Sequence, residues 1–152
     1  MTERDEEQSR PAVSLNERLF RLDEASGGRP VLVGCRCPDC GHRFFPIRAI
    51  CPGCGRRGLE TVDLSRSGKV WTYTIAHQAQ SGAVVESPHI IAQVELPEAV
   101  LVTSLVTGCK PEEARVGMEV EIVPVKVLED AEGRDVLAFA FQRVQRVEET
   151  TP

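Results

Sequence analysis

Cys37-Pro38-Asp39-Cys40-Gly41 and Cys51-Pro52-Gly53-Cys54-Gly55 are two copies of one pattern, and the ten residues 41–50 separate their cysteine pairs. Two residues between the thiols of a pair let a tight turn aim both sulfurs at one point. Two such turns complete a tetrahedron, the geometry zinc takes in structural thiolate sites. The glycine after each pair suits a turn that folds its amides back toward sulfur, because glycine tolerates positive φ. Cys37, Cys40, Cys51 and Cys54 are therefore the expected metal ligands. A closed four-thiolate site leaves the metal no open position, so it points to a scaffold and not to metal catalysis. Tetrahedral sulfur suits iron as well as zinc. Cys35 makes the first motif read Cys-x-Cys-x-x-Cys and is a competing thiol.

The rest of the chain sets bounds on this reading. Its 152 residues fit one ordinary domain or two small ones, and 41% apolar content supports a core. No apolar run reaches the roughly 18 residues of a membrane span. The first thirty residues are polar and acidic and carry no signal-like apolar stretch, so a cytoplasmic location is expected. In that reducing setting, paired cysteines favour metal over disulfides. The net charge of −5 argues against general nucleic-acid affinity.

Along the chain, residues 1–34 read as an acidic tail, a short helix over Ser14–Glu24 and a lead-in strand at Val31-Leu32-Val33. Ser14 and Glu17 have capping-box spacing, and Leu15, Leu19, Phe20 and Leu22 form an apolar stripe. Residues 35–60 form the metal ribbon, too small to fold without its ion. Residues 61–146 are β-rich, with strands expected at 70–77, 89–96, 100–107, 118–127 and 136–144. Five short strands with turns between them fit a small closed barrel. A helical turn is expected over Pro111-Glu112-Glu113, and residues 147–152 are a tail. In the fourth strand the apolar phase flips around Pro124, from Met118, Val120 and Ile122 to Val123, Val125 and Val127. That flip predicts a bulge or sharp coil there.

By this point the order of features resembles a known family: the zinc-ribbon plus OB-fold proteins that accompany thiolase-like enzymes, long labelled a domain of unknown function. The stretches that carry the resemblance are the two cysteine motifs, Phe45-Pro46-Ile47-Arg48, Gly68-Lys69-Val70-Trp71-Thr72-Tyr73-Thr74, Gly108-Cys109-Lys110-Pro111-Glu112 and Val116-Gly117-Met118. Ile47 stands where the family often has a second proline. The resemblance implies a mainly β protein with an N-terminal helix, a rubredoxin-like zinc ribbon and a five-stranded C-terminal OB barrel. It also implies a hetero-oligomer whose catalytic residues lie on a thiolase-like partner. This chain would be the accessory subunit, as in a benzoylsuccinyl-CoA thiolase, supporting the partner and helping to hold CoA or acyl-CoA. Its substrate would be a 3-oxoacyl-CoA, with an aromatic acyl group as one choice.

Arg43, Arg48 and Arg56 in the basic ribbon, with Lys69, are the candidate CoA-phosphate residues, since guanidinium binds phosphate bidentately. The competing explanation is that the ribbon arginines offset the two net negative charges of four thiolates on a divalent ion. Phe45, Trp71 and Tyr73 are candidate contacts for a partner or an acyl chain, with Trp71 and Tyr73 expected on one strand face. On a nucleic-acid OB-fold such a pair suggests a stacking platform. Residues 67–146 carry seven Lys/Arg against eleven Asp/Glu, which opposes it. Cys109 precedes the expected helical turn, but its adjacent sequence does not supply the acid/base partners a thiolase nucleophile needs, so no catalytic residue is assigned. The alternatives are a free-standing acyl-CoA carrier, an accessory subunit of an acyl-CoA hydratase and, last, a single-stranded nucleic-acid binder.

Overall fold

The computed structural model describes residues 11–78 and 86–144. The acidic tail over residues 1–10 and the C-terminal tail fall outside that range. Ten strands are described: β1 (Ala12–Ser14), β2 (Phe20–Asp23), β3 (Arg29–Arg36), β4 (Arg43–Phe44), β5 (Glu60–Asp63), β6 (Ser67–Ala76), β7 (His89–Glu95), β8 (Leu101–Thr107), β9 (Glu119–Glu129) and β10 (Asp135–Arg143).

β6 to β10 form the expected barrel. β6, β7 and β8 are consecutive antiparallel neighbours, β8 pairs β10 in parallel, and β9 closes the ring between β10 and the start of β6. Alternation directs Val94, Val102, Val120, Ile122 and Phe141 inward, and all are essentially inaccessible. The expected turn at Pro111–Glu113 is present as 3-10 helix.

Among the described residues there is no α-helix, so the N-terminal helix is corrected. Ser14–Glu24 is instead β1, a turn and β2, followed by a 3-10 turn at Glu24–Ser26. The Asn16 side chain accepts from the Arg18 amide at 3.0 Å, and the Asn16 carbonyl accepts from Leu19 and Phe20. That Asx turn diverts the chain locally. β2 then pairs antiparallel with β3, with Phe20 opposite Leu32, and β1 pairs in parallel with β10. Burial of Phe20 at 2% exposure outweighs the local capping pattern.

β3 is the spine joining the two halves. Its central residues are buried, and it pairs with β2 at one end and with β4 and β5 at the other. Phe20, Leu32 and Leu64 pack in one cluster with the barrel core. Phe139 extends the link: its ring lies edge-on to Phe20 at 5.6 Å and to Phe45 at 6.1 Å.

The expected break at Pro124 occurs in a different form. Pairing runs through Pro124, opposite Phe139, and the register shift comes later, where Val136 and Leu137 face Leu128 and Lys126. Ile122 donates to the Arg66 carbonyl, and β6 reaches β9 no further than Glu121. The nitrogen of Pro124, two residues on along the same edge, falls where no ladder partner stands, which is where a strand tolerates proline.

Candidate metal centre

The two cysteine motifs fold as near-copies. The Cys37 amide donates to the His42 carbonyl at 2.9 Å, and Gly41 donates back to the Cys37 carbonyl at 2.9 Å. The Cys51 amide donates to the Arg56 carbonyl at 2.9 Å, and Gly55 to Cys51 at 2.8 Å. Gly41 and Gly55 close their turns at φ of 76° and 78°, a conformation that L side chains rarely adopt. The second turn repeats the first because the sequence repeats.

The sulfurs of Cys37, Cys40, Cys51 and Cys54 all lie within 4.8 Å of one another. Cys37 and Cys54 are 3.5 Å apart, as are Cys40 and Cys51. The four thiols are thus positioned to bind one metal ion. Backbone amides prepare them for it: Gly53 donates to the Cys51 sulfur at 3.4 Å. The amides of Cys40 and Asp39 help hold the Cys37 thiol down at about 7. At Cys54 the Arg56 amide pulls the same way, but the neighbouring Cys37 thiol and burial prevail and push it up to about 12. Several thiolates this close repel without a cation between them, and a cation removes the conflict. His42 sets its Nδ1 3.2 Å from the Cys40 sulfur, so it lies against the cluster as a neighbour of a ligand.

Cys35 does not join the group. It lies on β3 opposite Phe44 and Thr61, at 1% exposure, as a small apolar filler. Cys109 is also outside it. Burial pushes its thiol up against the pull of the Arg143 guanidinium, and Arg143 is itself bonded to Glu113 at 2.8 Å.

The four candidate phosphate-binding residues separate. Arg56 pairs with Asp39 across the two cysteine motifs. Arg43, on β4, and Arg48 are exposed, and among the described residues neither has a carboxylate partner. Lys69 stands apart on β6, opposite Glu95 on one side and Glu119 on the other, at a cleft lined also by Glu121. Its surroundings are acidic. The aromatic candidates separate as well. Phe45 is half-buried against Phe139 and fastens the ribbon to the barrel.

Trp71 and Tyr73 do not share a face. Val70 pairs with Val94 and Thr72 with Gln93, so Trp71 is the extra residue of a β-bulge. The bulge puts Tyr73 opposite buried Ala92, in phase with Val70 and Ile75. Trp71 projects outward with Thr72 at 56% exposure. Period-two counting fails at a bulge, and no glycine or proline marks this one.

Comparison with known proteins follows the same division. Residues 25–60 match the model described as the ChsH2 rubredoxin-like zinc ribbon domain, and residues 61–125 the ChsH2 C-terminal OB-fold domain. A DUF35 domain-containing scaffold protein of Methanocaldococcus jannaschii is 41% identical over 115 residues, covering 75% of this chain and 81% of that one. The chain belongs to the DUF35 family. Another relative, the benzoylsuccinyl-CoA thiolase subunit BbsA of Thauera aromatica, is 30% identical over 79% of this chain and 81% of its own. Among solved structures, the Ltp2-ChsH2(DUF35) aldolase superposes with a TM-score of 0.62 at 28% identity, over 74% of this chain and 84% of that one. This DUF35 chain is therefore a zinc-ribbon and OB-fold protein whose relatives include scaffold proteins and enzyme subunits. No helix among its described residues is long and apolar enough to cross a membrane.

Proposed function

We propose that this chain is the non-catalytic, zinc-stapled subunit of a thiolase-type enzyme acting on acyl-CoA in the cytoplasm. The observation that carries the reading is the match to the Thauera aromatica thiolase subunit over most of both chains. The chemistry of the described residues supports it. The four clustered thiols form a closed donor set, suited to zinc as a staple and without an open position for substrate. The remaining thiol outside a strand, Cys109, is held protonated by burial, and its charged neighbours are tied to each other. A nucleophile needs a base within reach.

In this reading the partner's cysteine thiolate attacks the 3-oxo carbon, the C2–C3 bond breaks and C2 takes a proton as one CoA thioester leaves. The thiol of a second CoA then displaces the acyl group from the cysteine as the shortened acyl-CoA. The barrel walls the reaction off from water and the ribbon docks it. Arg48 and Arg43 bind the CoA phosphates, because they are exposed, have no carboxylate partner among the described residues and, unlike Lys69, do not stand among glutamates. The test is to assay thiolysis by each part alone and by the two together. Little activity from either part and full activity from the pair is expected. Arg48→Ala should raise KM for the CoA thioester about tenfold, the cost of one charge-assisted contact. Full activity from the isolated catalytic subunit, unchanged on adding this chain, sinks the proposal.

A further inference from the structure

Among the described residues, one edge of strand β6 is unpaired beyond Val70. Leu96 donates to the Val100 carbonyl at the end of the β7–β8 hairpin. By alternation Val94, Ala92 and Ile90 exchange hydrogen bonds with β8, and Glu95, Gln93, Ile91 and His89 with β6. Tyr73 and Ile75 stand opposite Ala92 and Ile90, so their N–H and C=O groups point away from β7. On that far edge β9 pairs with Ser67, Gly68 and Lys69, while Val70 bonds to Met118 and Gly117 at 2.9 and 2.8 Å. Beyond Val70 no described residue pairs with it.

The composition of the open stretch is unusual for an edge. Val70-Trp71-Thr72-Tyr73-Thr74-Ile75-Ala76 has no charge, no proline and no glycine, and is rich in aromatic and β-branched residues. Such segments recruit further strands, and monomeric proteins blunt their edges with lysine, proline or short length. Here the bulge at Trp71 is the one such device. The outer face beside the edge is uncharged too: Trp71, Thr72, Thr74 and Thr103 are exposed, and Ile91 and Leu105 half-buried.

We propose that this edge is a docking strand. An extended segment of the partner enzyme adds to β6 at Tyr73–Ile75, and the body of that partner rests on the adjoining uncharged face. The proposal rests on the subunit reading above and names the surface it uses. A second copy of this chain fits less well. Edge-to-edge pairing of two copies makes one continuous sheet, with the outer faces side by side and Trp71 still bare. Two outward residues per strand also bury far less than the roughly 800 Å² per partner of a stable interface. A partner that supplies a strand and a layer above it covers both features.

The test uses the full chain alone and in the complex isolated from its native host through a tag on this chain. In the isolated monomer, amide exchange at Tyr73 and Ile75 should be fast; in the complex it should slow at least tenfold. Ile75→Pro removes one outward N–H and leaves the β7 ladder intact, and should cut the co-purified enzyme at least tenfold without changing metal content. If that variant does not fold, Thr74→Lys, at an exposed position, should weaken capture in the same direction. A wild-type complex with both amides unprotected, or undiminished capture by both variants, overturns the docking edge and leaves the subunit reading standing. Protection in the isolated chain also overturns it, assigning the edge to the chain's own termini if monomeric or to a second copy if dimeric. A wild-type chain that captures no enzyme overturns both readings.

Discussion

Between Cys37 and Asp63 the two buried residues are metal-site cysteines, Cys37 and Cys51. In the barrel, Val94, Val102, Val120, Ala140 and Phe141 are each buried completely. The ribbon has thiols where the barrel has hydrocarbon. Its exposed Ile50 and half-buried Leu59 make no core, and it depends on its ion. The barrel depends on the transfer of apolar side chains from water. One short chain thus contains two stability regimes, joined along β3 and through the Phe45–Phe139 contact.

Removing the metal should break the comparison most. A structural zinc site contributes about 10–16 kcal/mol of apparent binding free energy at neutral pH, far more than a small domain's net stability. A strong chelator should collapse the amide signals of residues 37–59 in a two-dimensional NMR spectrum. β7 and β8 should keep their exchange protection. Cys51→Ala should reproduce this pattern. Cys35→Ala, which leaves all four clustered sulfurs in place, should keep full metal content and cost about 1 kcal/mol in packing. Loss of metal from Cys35→Ala would make it a ligand after all.

The converse perturbation acts on the barrel. Phe141 is 0% exposed and contacts Phe139 edge-on, with ring centres 6.4 Å apart. Phe141→Ala should cost about 3–5 kcal/mol in urea unfolding, through lost transfer energy and the cavity left behind. Metal stoichiometry of the folded variant should stay unchanged. If the ribbon releases its ion in step with barrel unfolding, the two regimes are one cooperative unit, and the Phe45–Phe139 contact is the place to cut it.

How far each region could be read in advance follows from the same contrast. The cysteine motifs were legible because metal chemistry fixes both residue type and spacing, and the local turns obey that spacing alone. The barrel strands were legible because inward and outward residues alternate. What escaped depends on partners distant in sequence. Ser14 and Glu17 carry a helix-start pattern, yet the segment is extended because Phe20 faces Leu32 and Val13 faces Val136. The bulge at Trp71 escaped because it arises from how β6 meets β7. Its consequence was large: it took Tyr73 out of Trp71's phase and set it opposite Ala92, while Trp71 projects outward beside Thr72. Among the candidate phosphate-binding residues, residue type could be read but surroundings could not. Arg56 is tied to Asp39, and Lys69 sits among glutamates.

The smallest expected effect lies at the seam between the two regions. The Asp23 carboxylate accepts from Ser26 at 3.0 Å, from the Ala25 amide at 3.2 Å and from Arg66 at 2.6 Å. It thereby ties the β2–β3 hairpin to the link between β5 and β6. The Ser26 hydroxyl, then the Arg66 guanidinium, hold its pKa below the ordinary carboxylate value. The folded state therefore binds this proton less readily than the unfolded state. The stabilisation is fully present above the unfolded value of about 3.9 and is lost as pH falls through the lower folded value. Urea midpoints of the wild type and Asp23→Asn should differ at pH 6 and converge as the pH drops below about 3.9. Added salt should narrow the gap at pH 6, because the pair is partly exposed and solvent screens it. A gap that persists in acid would assign the seam to hydrogen-bond geometry at Asp23 and not to its charge.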